Sequence, residues 1–351
     1  MQNLTQTSPF LKACRREKAD HTPIWLMRQA GRYMPEYRAI RAKHTMLEVI
    51  GTPELAAEVT LQPINAFSPD AAIIFSDILP PLIGMGLNLE FAKGEGPVIH
   101  NPIGSAADIA QLRTPTAEEN MQPTLEAIKL VTAELTPRGI PLIGFSGAPF
   151  TLASYAIEGG GSKNYAKTKA LMVSDPAAWN ELLDKLVTVQ VDYLRKQAAA
   201  GASALQLFDS WAGLALGWED YRRYVAPHNK RLFEEVKTTG VPLINFSMGT
   251  AVYLDEVAAC GGDVIGLDWR IPLDWGWQKV GYDRAVQGNL DPTILLTEWP
   301  IVQAHADDVL RRADGRPGHI FNLGHGIFPN VSPDIVQRLI AYVQEKTTND
   351  E

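Results

Sequence analysis

Eight short apolar runs recur along this chain, and helix-like stretches separate most of them. Each run is four to six residues long and mostly apolar, which is typical of strands buried on both faces of a parallel sheet. Strands that alternate with helices indicate βαβ units. The predicted strands are Ile24–Met27, Ala71–Phe75, Leu142–Phe145, Ala204–Phe208, Val241–Phe246, Val264–Leu267, Arg284–Gln287 and His319–Asn322.

The number of strands restricts the fold. Eight βα units in 351 residues match a (β/α)8 TIM barrel of the α/β class. The alternative is a doubly wound open sheet, but the sequence contains no Gly-x-Gly-x-x-Gly turn. We therefore predict a single barrel domain over residues 1–351, with flexible tails at residues 1–8 and 347–351. The predicted helices are Glu54–Asn65, Ala117–Leu135, Pro176–Ala200, Trp218–Lys237, Val252–Cys260, Glu298–Ala313 and Pro333–Lys346.

Polar side chains follow the predicted strands. Arg28 comes directly after the first strand, and Asp77, Ser210 and His325 come shortly after the second, fourth and eighth. In a barrel these positions meet at the C-terminal ends of the strands, where active sites lie. A polar residue at one strand end is also what a hydrated loop would show. The whole set together favours an active site at this rim.

The first of these strand ends opens a basic segment. Residues 28–43 carry five positive side chains and one negative one, on a chain whose formal net charge is −8. A local excess of positive charge at the end of a buried strand indicates a site for a ligand with several negative charges. The acidic chain as a whole argues against nucleic acid or an anionic membrane surface as the main partner.

The cysteines and the hydropathy pattern indicate a cellular setting. Cys14 and Cys260 form neither a disulfide framework nor a cysteine-based zinc motif, so a reduced, cytosolic compartment is expected. No run approaches 18 apolar residues, and the segment 1–9 has no apolar signal core. We therefore expect no transmembrane helix and no membrane partner.

Six motifs, in order along the chain, closely resemble the uroporphyrinogen decarboxylase family. The resemblance runs from about residue 9 to residue 345. The first motif is specific by itself, with Pro23, Trp25 and the run Met27–Arg32 followed by Pro35–Arg38. The other motifs are Phe75–Leu79, Gly144–Leu152, Tyr155–Gly160, Phe208–Ser210 and Asn322–Gly326.

The resemblance implies a fold and an activity. It implies a single-domain (β/α)8 carboxy-lyase of haem and tetrapyrrole biosynthesis, a cytosolic homodimer that uses no metal and no organic cofactor. The implied substrate is the small molecule uroporphyrinogen III, a macrocycle of four pyrroles with eight carboxylates. The four acetate side chains would become methyl groups, giving coproporphyrinogen III and four molecules of carbon dioxide.

Asp77 is the residue that the resemblance places nearest the chemistry. Loss of carbon dioxide leaves an electron pair, which a pyrrole ring can accept once a ring carbon is protonated. A fixed carboxylate stabilises that cation by its charge and by accepting pyrrole N–H hydrogen bonds. The alternative is that Asp77 is the N-cap of a helix. Pro80 and Pro81, shortly after it, weaken this alternative.

Arginines are expected to hold the substrate carboxylates, because a guanidinium binds a carboxylate through two parallel hydrogen bonds and keeps its charge when desolvated. The resemblance assigns this role to Arg28 and Arg32, and less firmly to Arg41. Arg28 is also a candidate proton donor. Arg38 and Lys43 stay open between attraction of the substrate and an ordinary solvated helix face.

Tyr155, Ser210 and His325 complete the predicted site. Tyr155 is assigned a catalytic role with Asp77 and Arg28, and the Tyr155 and Ser210 hydroxyls would contact the reacting or a neighbouring acetate. His325 lies between two glycines, which allow close approach of a ligand, and its imidazole can donate to a carboxylate. For each of these residues a purely structural hydroxyl or histidine is the alternative.

Two other functions remain to be distinguished from the decarboxylase. Related barrels carry methyl-transfer chemistry, which needs a zinc–thiolate site, and neither Cys14 nor Cys260 has a suitable partner in sequence. A tetrapyrrole carrier without catalytic activity would use the same binding residues. The position of Asp77 among the arginines favours the enzyme, because carriage alone does not require a stabilised pyrrole cation.

Overall fold

A parallel sheet of seven strands organises the molecule. The computed structural model describes residues 4–92 and 96–348. In sheet order the seven strands are β1, β4, β5, β6, β7, β8 and β9, while β2 and β3 form an antiparallel pair. The strands are β1 (Ala72–Ile73), β2 (Leu89–Ala92), β3 (Gly96–Ile99), β4 (Leu142–Gly147), β5 (Ala204–Asp209), β6 (Leu243–Ser247), β7 (Val264–Gly266), β8 (Ala285–Leu290) and β9 (His319–Leu323).

Helices connect consecutive strands of the sheet and cover it. The α-helices of the described residues are α1 (Pro9–Cys14), α2 (Pro35–Arg41), α3 (Met46–Gly51), α4 (Pro53–Phe67), α5 (Pro81–Gly84), α6 (Ala106–Gln111), α7 (Ala117–Asn120), α8 (Gln122–Leu135), α9 (Pro149–Glu158), α10 (Ala166–Ser174), α11 (Pro176–Ala200), α12 (Ala212–Ala215), α13 (Trp218–Tyr224), α14 (Ala226–Val236), α15 (Leu254–Cys260), α16 (Leu273–Val280), α17 (Trp299–Ala313) and α18 (Pro333–Thr347). Short 3-10 turns lie at Leu4–Thr7, Thr136–Arg138, Lys237–Thr239, Ala251–Tyr253 and Pro292–Leu296.

The α/β class and seven of the eight predicted strands are confirmed, but the prediction of a strand at Ile24–Met27 is wrong. There, Ile24 makes a single parallel bridge to Phe321 of β9. The reason is that side chains take the next backbone N–H groups. Leu26 N donates to Gln29 Oε1 at 3.2 Å, and Met27 N donates to Asn322 Oδ1 at 3.0 Å. The segment is buried like a strand but is not paired like one.

Two of the predicted helices are each divided into two. The predicted helix 117–135 breaks at Met121, between α7 and α8, and the predicted helix 218–237 breaks at Val225, between α13 and α14. In both cases the second helix has a proline in its first two positions. Proline lacks the N–H that would continue a helix, but it fits the first turn of a new one.

Parts of both predicted tails are folded. Ser8 caps α1 by accepting a hydrogen bond from Leu11 N at 3.3 Å, and Thr5 in the preceding 3-10 turn is buried. Thr347 still belongs to α18, and its hydroxyl accepts from Thr22 N at 2.8 Å. The rest of the tail prediction, residues 1–3 and 349–351, lies outside the described residues.

An apolar layer fills the amino-terminal half of the sheet. One buried cluster takes a side chain from the first or second residue of six strands and adds the indole of Trp25. The strand members are Ile143, Ala204, Ile244, Val264, Ala285 and Ile320. This layer seals one end of the sheet, so the polar residues that follow the strands lie at the other, carboxyl end.

Candidate active site

The carboxyl edge of the sheet brings the predicted residues together. Every strand pair of the large sheet is parallel, so the loops after β1, β5 and β9 leave it at the same edge. Asp77 follows β1, Ser210 follows β5, and His325 follows β9. Tyr155 reaches the same region from α9, the helix that begins directly after β4.

Asp77 is a partly exposed carboxylate in a densely packed environment. Its Oδ1 accepts a hydrogen bond from Leu79 N at 3.0 Å. Burial raises the pKa of Asp77, while the Leu79 N–H and the charge of Arg28 act in the opposite direction. The N-cap of the next helix, α5, is Pro80, so the alternative in which Asp77 caps a helix is wrong.

Arg28 lies at the centre of the electrostatic interactions in this region. Its backbone has φ of 62°, in the left-handed region that non-glycine residues rarely adopt. Its side chain lies directly on Gly326, because a Cβ on that glycine would be 2.3 Å from Arg28 Cδ. Burial raises the pKa of Asp77 and of Tyr155, and the charge of Arg28 opposes both shifts. Burial lowers the pKa of His325, and the charge of Arg28 adds to that shift. One exposed guanidinium therefore acts on three of the predicted residues.

The other basic residues separate into two groups. Burial raises the pKa of Tyr37, and the charge of Asp77 adds to this shift. The charges of Arg41 and Arg32 oppose it, so both arginines lie close enough to act on the same side chain. Arg41 Nη1 also donates to the carbonyl oxygen of His44. Arg38 has a structural contact too, since its Nη1 donates to the carbonyl oxygens of Arg32 and Tyr33, each at 2.9 Å. This contact holds the loop that carries Arg32. Lys43 is exposed on the surface, as are Arg28, Arg32 and Arg38.

Tyr155 stacks on an indole. Its ring and the Trp211 ring lie 3.8 Å apart between centroids, with an interplanar angle of 28°. Burial and the charge of Asp77 raise the pKa of Tyr155 to about 12. The phenol therefore stays protonated at neutral pH and can donate a hydrogen bond to a carboxylate.

A buried network holds Trp211 against Tyr155, and sequence reasoning missed it. Thr151 lies one helical turn before Tyr155, and its hydroxyl donates to Asp209 Oδ1 at 2.8 Å. Trp211 N in turn donates to Thr151 Oγ1 at 3.3 Å. Asp209 is almost fully buried, and burial raises its pKa. The sequence signals for this network were the positions of Thr151 in the motif Gly144–Leu152 and of Asp209 in the motif Phe208–Ser210.

Ser210 is the predicted residue with the fewest visible connections. It is half-buried, one residue beyond the end of β5. Within residues 4–92 and 96–348 its hydroxyl makes no hydrogen bond to another side chain of the predicted site. Its position at the carboxyl edge agrees with the sequence prediction, and its hydroxyl is left free to contact a ligand.

His325 is a neutral imidazole between cations. Burial lowers the pKa of His325 to about 4, and the charges of Arg28 and Arg270 act in the same direction. The ring packs edge-to-face on Trp269, with 6.2 Å between centroids. Gly324 allows this contact, because a Cβ there would lie 2.3 Å from Trp269 N. At neutral pH the ring has one donor and one acceptor nitrogen.

The arrangement suits a ligand that is cationic or N–H-rich at its centre and anionic at its periphery. One carboxylate, Asp77, interacts electrostatically with the Arg28 guanidinium and the Tyr155 phenol. Among the described residues, no group of three His, Cys, Asp or Glu side chains is placed to hold a metal ion. Both cysteines are buried, and burial raises the pKa of each thiol, to about 11 for Cys260.

Comparison with known proteins shows to which family the chain belongs. The model of the uroporphyrinogen decarboxylase (URO-D) family matches residues 5–346. The chain belongs to the uroporphyrinogen decarboxylase family. The family and the enzyme class that the sequence motifs predicted are thereby confirmed.

Curated members of the uroporphyrinogen decarboxylase family match over nearly their whole length. The uroporphyrinogen decarboxylase of Carboxydothermus hydrogenoformans is 55% identical, with 96% of this chain and 95% of that protein covered. The one from Chloroflexus aurantiacus is 56% identical, with 95% of each chain covered. The one from Roseiflexus sp. is 56% identical, with 96% of this chain and 98% of that protein covered.

A solved structure with a different name, a methyltransferase, shares the fold. A methyltransferase from Methanosarcina mazei superposes with a TM-score of 0.82 at 18% identity, covering 96% of this chain and 98% of its own. At that level of identity the likeness concerns the fold alone. In the described part of the chain, no helix is both long and apolar enough to cross a bilayer.

Proposed function

We propose that this protein converts uroporphyrinogen III to coproporphyrinogen III by removing four carboxylates as carbon dioxide. Family membership supports the reaction class. The observation that carries the assignment to this site is Asp77, a carboxylate with a raised pKa, beside Arg28 and within electrostatic reach of Tyr155. A negative group of this kind is what a protonated pyrrole needs, whereas simple binding of an anionic macrocycle would favour cations alone.

In the proposed mechanism Asp77 accepts hydrogen bonds from pyrrole N–H groups and stabilises the cationic ring. Protonation of a ring carbon precedes the loss of carbon dioxide, and the electron pair of the broken carbon–carbon bond returns to the ring. A second proton then adds to the exocyclic methylene carbon to complete the methyl group. The ring carbon loses the first proton, which restores the pyrrole, so one proton is consumed for each carboxylate lost. Arg28 lies beside Asp77 and is the candidate proton donor. Tyr155, protonated because its pKa is raised, donates a hydrogen bond to the acetate carboxylate.

The peripheral carboxylates would be held by Arg28 and Arg32, with Arg41 as a further contact. His325 and Ser210 would add uncharged donors. An uncharged imidazole suits this role, because its one N–H can donate a hydrogen bond to a carboxylate. The raised local positive charge would also draw the substrate to the carboxyl edge of the sheet.

We also propose that the sheet closes into a single-domain (β/α)8 barrel, with the segment Pro23–Trp25 in place of an eighth strand. The hydrogen bonds of this segment support closure. On one side Phe321 N donates to Pro23 O at 2.8 Å. On the other side Asp70 N, just before β1, donates to Ile24 O at 2.8 Å. A segment with hydrogen bonds on both sides would join the two edges of the parallel sheet.

The activity is tested by anaerobic incubation of the purified protein with reduced uroporphyrinogen III, followed by separation of the products by carboxyl number. We expect a ladder from eight to four carboxylates ending at coproporphyrinogen III, with unchanged rate after exhaustive chelation and dialysis. Binding of substrate without any loss of carboxylates would favour a carrier. Activity that is lost on dialysis and restored by zinc would favour metal-dependent chemistry instead.

We propose that the protein is a cytosolic homodimer, on the strength of its family resemblance. The expected result of multi-angle light scattering at micromolar concentration is a mass of about twice that of one chain, which is 38.6 kDa. A monomeric mass together with full specific activity at the same concentration would contradict the proposal.

A further inference from the structure

We propose that Arg270, which the sequence motifs did not single out, binds a further peripheral carboxylate of the substrate beside His325. The inference rests on the proposed function, because it assumes a ligand with more carboxylates than Arg28, Arg32 and Arg41 can hold. Uroporphyrinogen has eight carboxylates, so at one carboxylate for each of these three arginines, five are left without an arginine partner.

The position of Arg270 supports this role. It lies in the turn after β7, at the carboxyl edge of the sheet. Its guanidinium carbon is 4.1 Å from the centroid of the Trp269 ring, and that ring packs on His325. The turn after β7 and the loop after β9 are thus in direct contact. Arg28 approaches His325 from Gly326, so two arginines flank one imidazole.

Arg270 is held in place by Asp268. The Asp268 carboxylate is buried and accepts hydrogen bonds from Gly249 N at 2.6 Å, Arg270 N at 2.9 Å and Arg270 Nη1 at 2.8 Å. A guanidinium has five N–H donors. Within the described residues, Nε and Nη2 of Arg270 make no hydrogen bond, and the side chain is 39% exposed. These two nitrogens, which carry three N–H donors, therefore remain for a ligand.

This fixed geometry favours binding. An exposed arginine normally loses conformational freedom when it binds, which reduces affinity. Here the indole face and the Asp268 carboxylate already restrain the guanidinium, and a planar fork is suited to a carboxylate. The ligand group is a side-chain carboxylate of the macrocycle, acetate or propionate, that lies near His325 when the reacting ring is at Asp77.

The test compares Arg270→Gln with Arg316→Gln. Arg316 is a close match, with a 39% exposed side chain, an ion pair to Asp314 at 3.0 Å and its guanidinium 5.0 Å from the Tyr282 ring. It differs in lying just before β9, at the opposite edge of the sheet. The probe is uroporphyrin, the oxidised and unreactive form with eight carboxylates, whose binding is followed by its fluorescence. Turnover of reduced uroporphyrinogen is measured in parallel.

For Arg270→Gln we expect the Kd for uroporphyrin and the KM for substrate to rise about ten-fold, as for loss of one charged hydrogen bond. Affinity should also depend less steeply on salt, and Arg270→Lys should recover part of the loss. Arg316→Gln should change neither constant. A folded Arg270→Gln protein with wild-type Kd, KM and salt dependence would overturn the inference. Lack of turnover by the wild type would instead overturn the proposed function, and the Kd comparison would still decide the role of Arg270.

Discussion

Replacement of Asp77 by asparagine is expected to lower kcat about 10²–10³-fold, as removal of a preorganised electrostatic partner does in other enzymes. Asparagine keeps the size of the side chain and one acceptor oxygen, so the hydrogen bond from Leu79 N can persist. What it removes is the negative charge that faces the cationic ring. The measurement is the rate of decarboxylation of reduced uroporphyrinogen, together with circular dichroism to verify the fold.

Stability should change in the opposite direction to activity. Because burial raises the pKa of Asp77, the folded protein binds its proton more tightly than the unfolded chain does. The carboxylate therefore destabilises the fold increasingly as pH rises from its ordinary pKa through the raised value. At neutral pH, Asp77→Asn should melt at the same or a higher temperature than the wild type. If Asp77 served only as a helix cap, Asp77→Asn would instead lower the free energy of unfolding by about 0.5–1 kcal/mol.

Asp291→Asn is the matched control for Asp77→Asn. Asp291 also follows a strand, β8, and its Oδ1 accepts a hydrogen bond from the residue two positions later, Thr293 N at 2.8 Å. It shares the local geometry without the proposed role, so turnover should be retained. Asp77→Glu should keep more activity than Asp77→Asn if charge matters most. A folded Asp77→Asn protein that decarboxylates at the wild-type rate would show that the central residue is assigned wrongly.

Apolar character predicted burial well and hydrogen-bond partners less well. Seven apolar runs became strands because their backbone groups had neighbouring strands to pair with. The run Ile24–Met27 is just as buried, but Gln29 and Asn322 side chains take its N–H groups. The hydropathy pattern of a sequence does not show whether a backbone N–H group donates to a neighbouring strand or to a side chain. The two helix breaks could have been predicted from the sequence, because Pro123 and Pro227 lie at the starts of the second helices.

The candidate site was predictable where a residue directly follows a strand, and not where it depends on contacts between loops. Asp77, Ser210 and His325 are of the first kind, within four residues of the ends of β1, β5 and β9. Arg28 follows the buried run that was predicted as a strand. The contact of Trp211 with Tyr155 is of the second kind, since it depends on a Thr151–Trp211 hydrogen bond that spans 60 residues of sequence. Arg270 likewise becomes relevant only because the loop after β9 places His325 beside Trp269.

Replacement of Arg28 by alanine is expected to lower kcat/KM about 10- to 100-fold, which corresponds to the roughly 1.5–3 kcal/mol of a lost charged hydrogen bond. The wild-type dependence of kcat/KM on salt should weaken as well, because one of the cations that attract the substrate is gone. His325 gives a second readout. Since the Arg28 charge lowers the pKa of His325, the variant should show a higher pKa for this imidazole by NMR.

The backbone of Arg28 allows loss of function to be separated from loss of stability. At φ of 62° any side chain with a Cβ is strained, so Arg28→Gly should be more stable than Arg28→Ala, by about 0.5–1 kcal/mol. Both variants lack the guanidinium, and both should be equally poor catalysts. A structural role for Arg28 would instead make activity follow stability across the two variants.

Arg16 provides the matched control at the opposite edge of the sheet. It too has a positive φ, of 58°, and its Cγ lies 3.0 Å from a Cβ built on Gly318, just before β9. Arg28 packs in the same way on Gly326, just after β9. Arg16→Ala and Arg16→Gly should therefore reproduce the difference in stability and leave kcat/KM unchanged. If the Arg16 variants lost as much activity as the Arg28 variants, the defect would come from the strained backbone and not from a missing contact to the substrate.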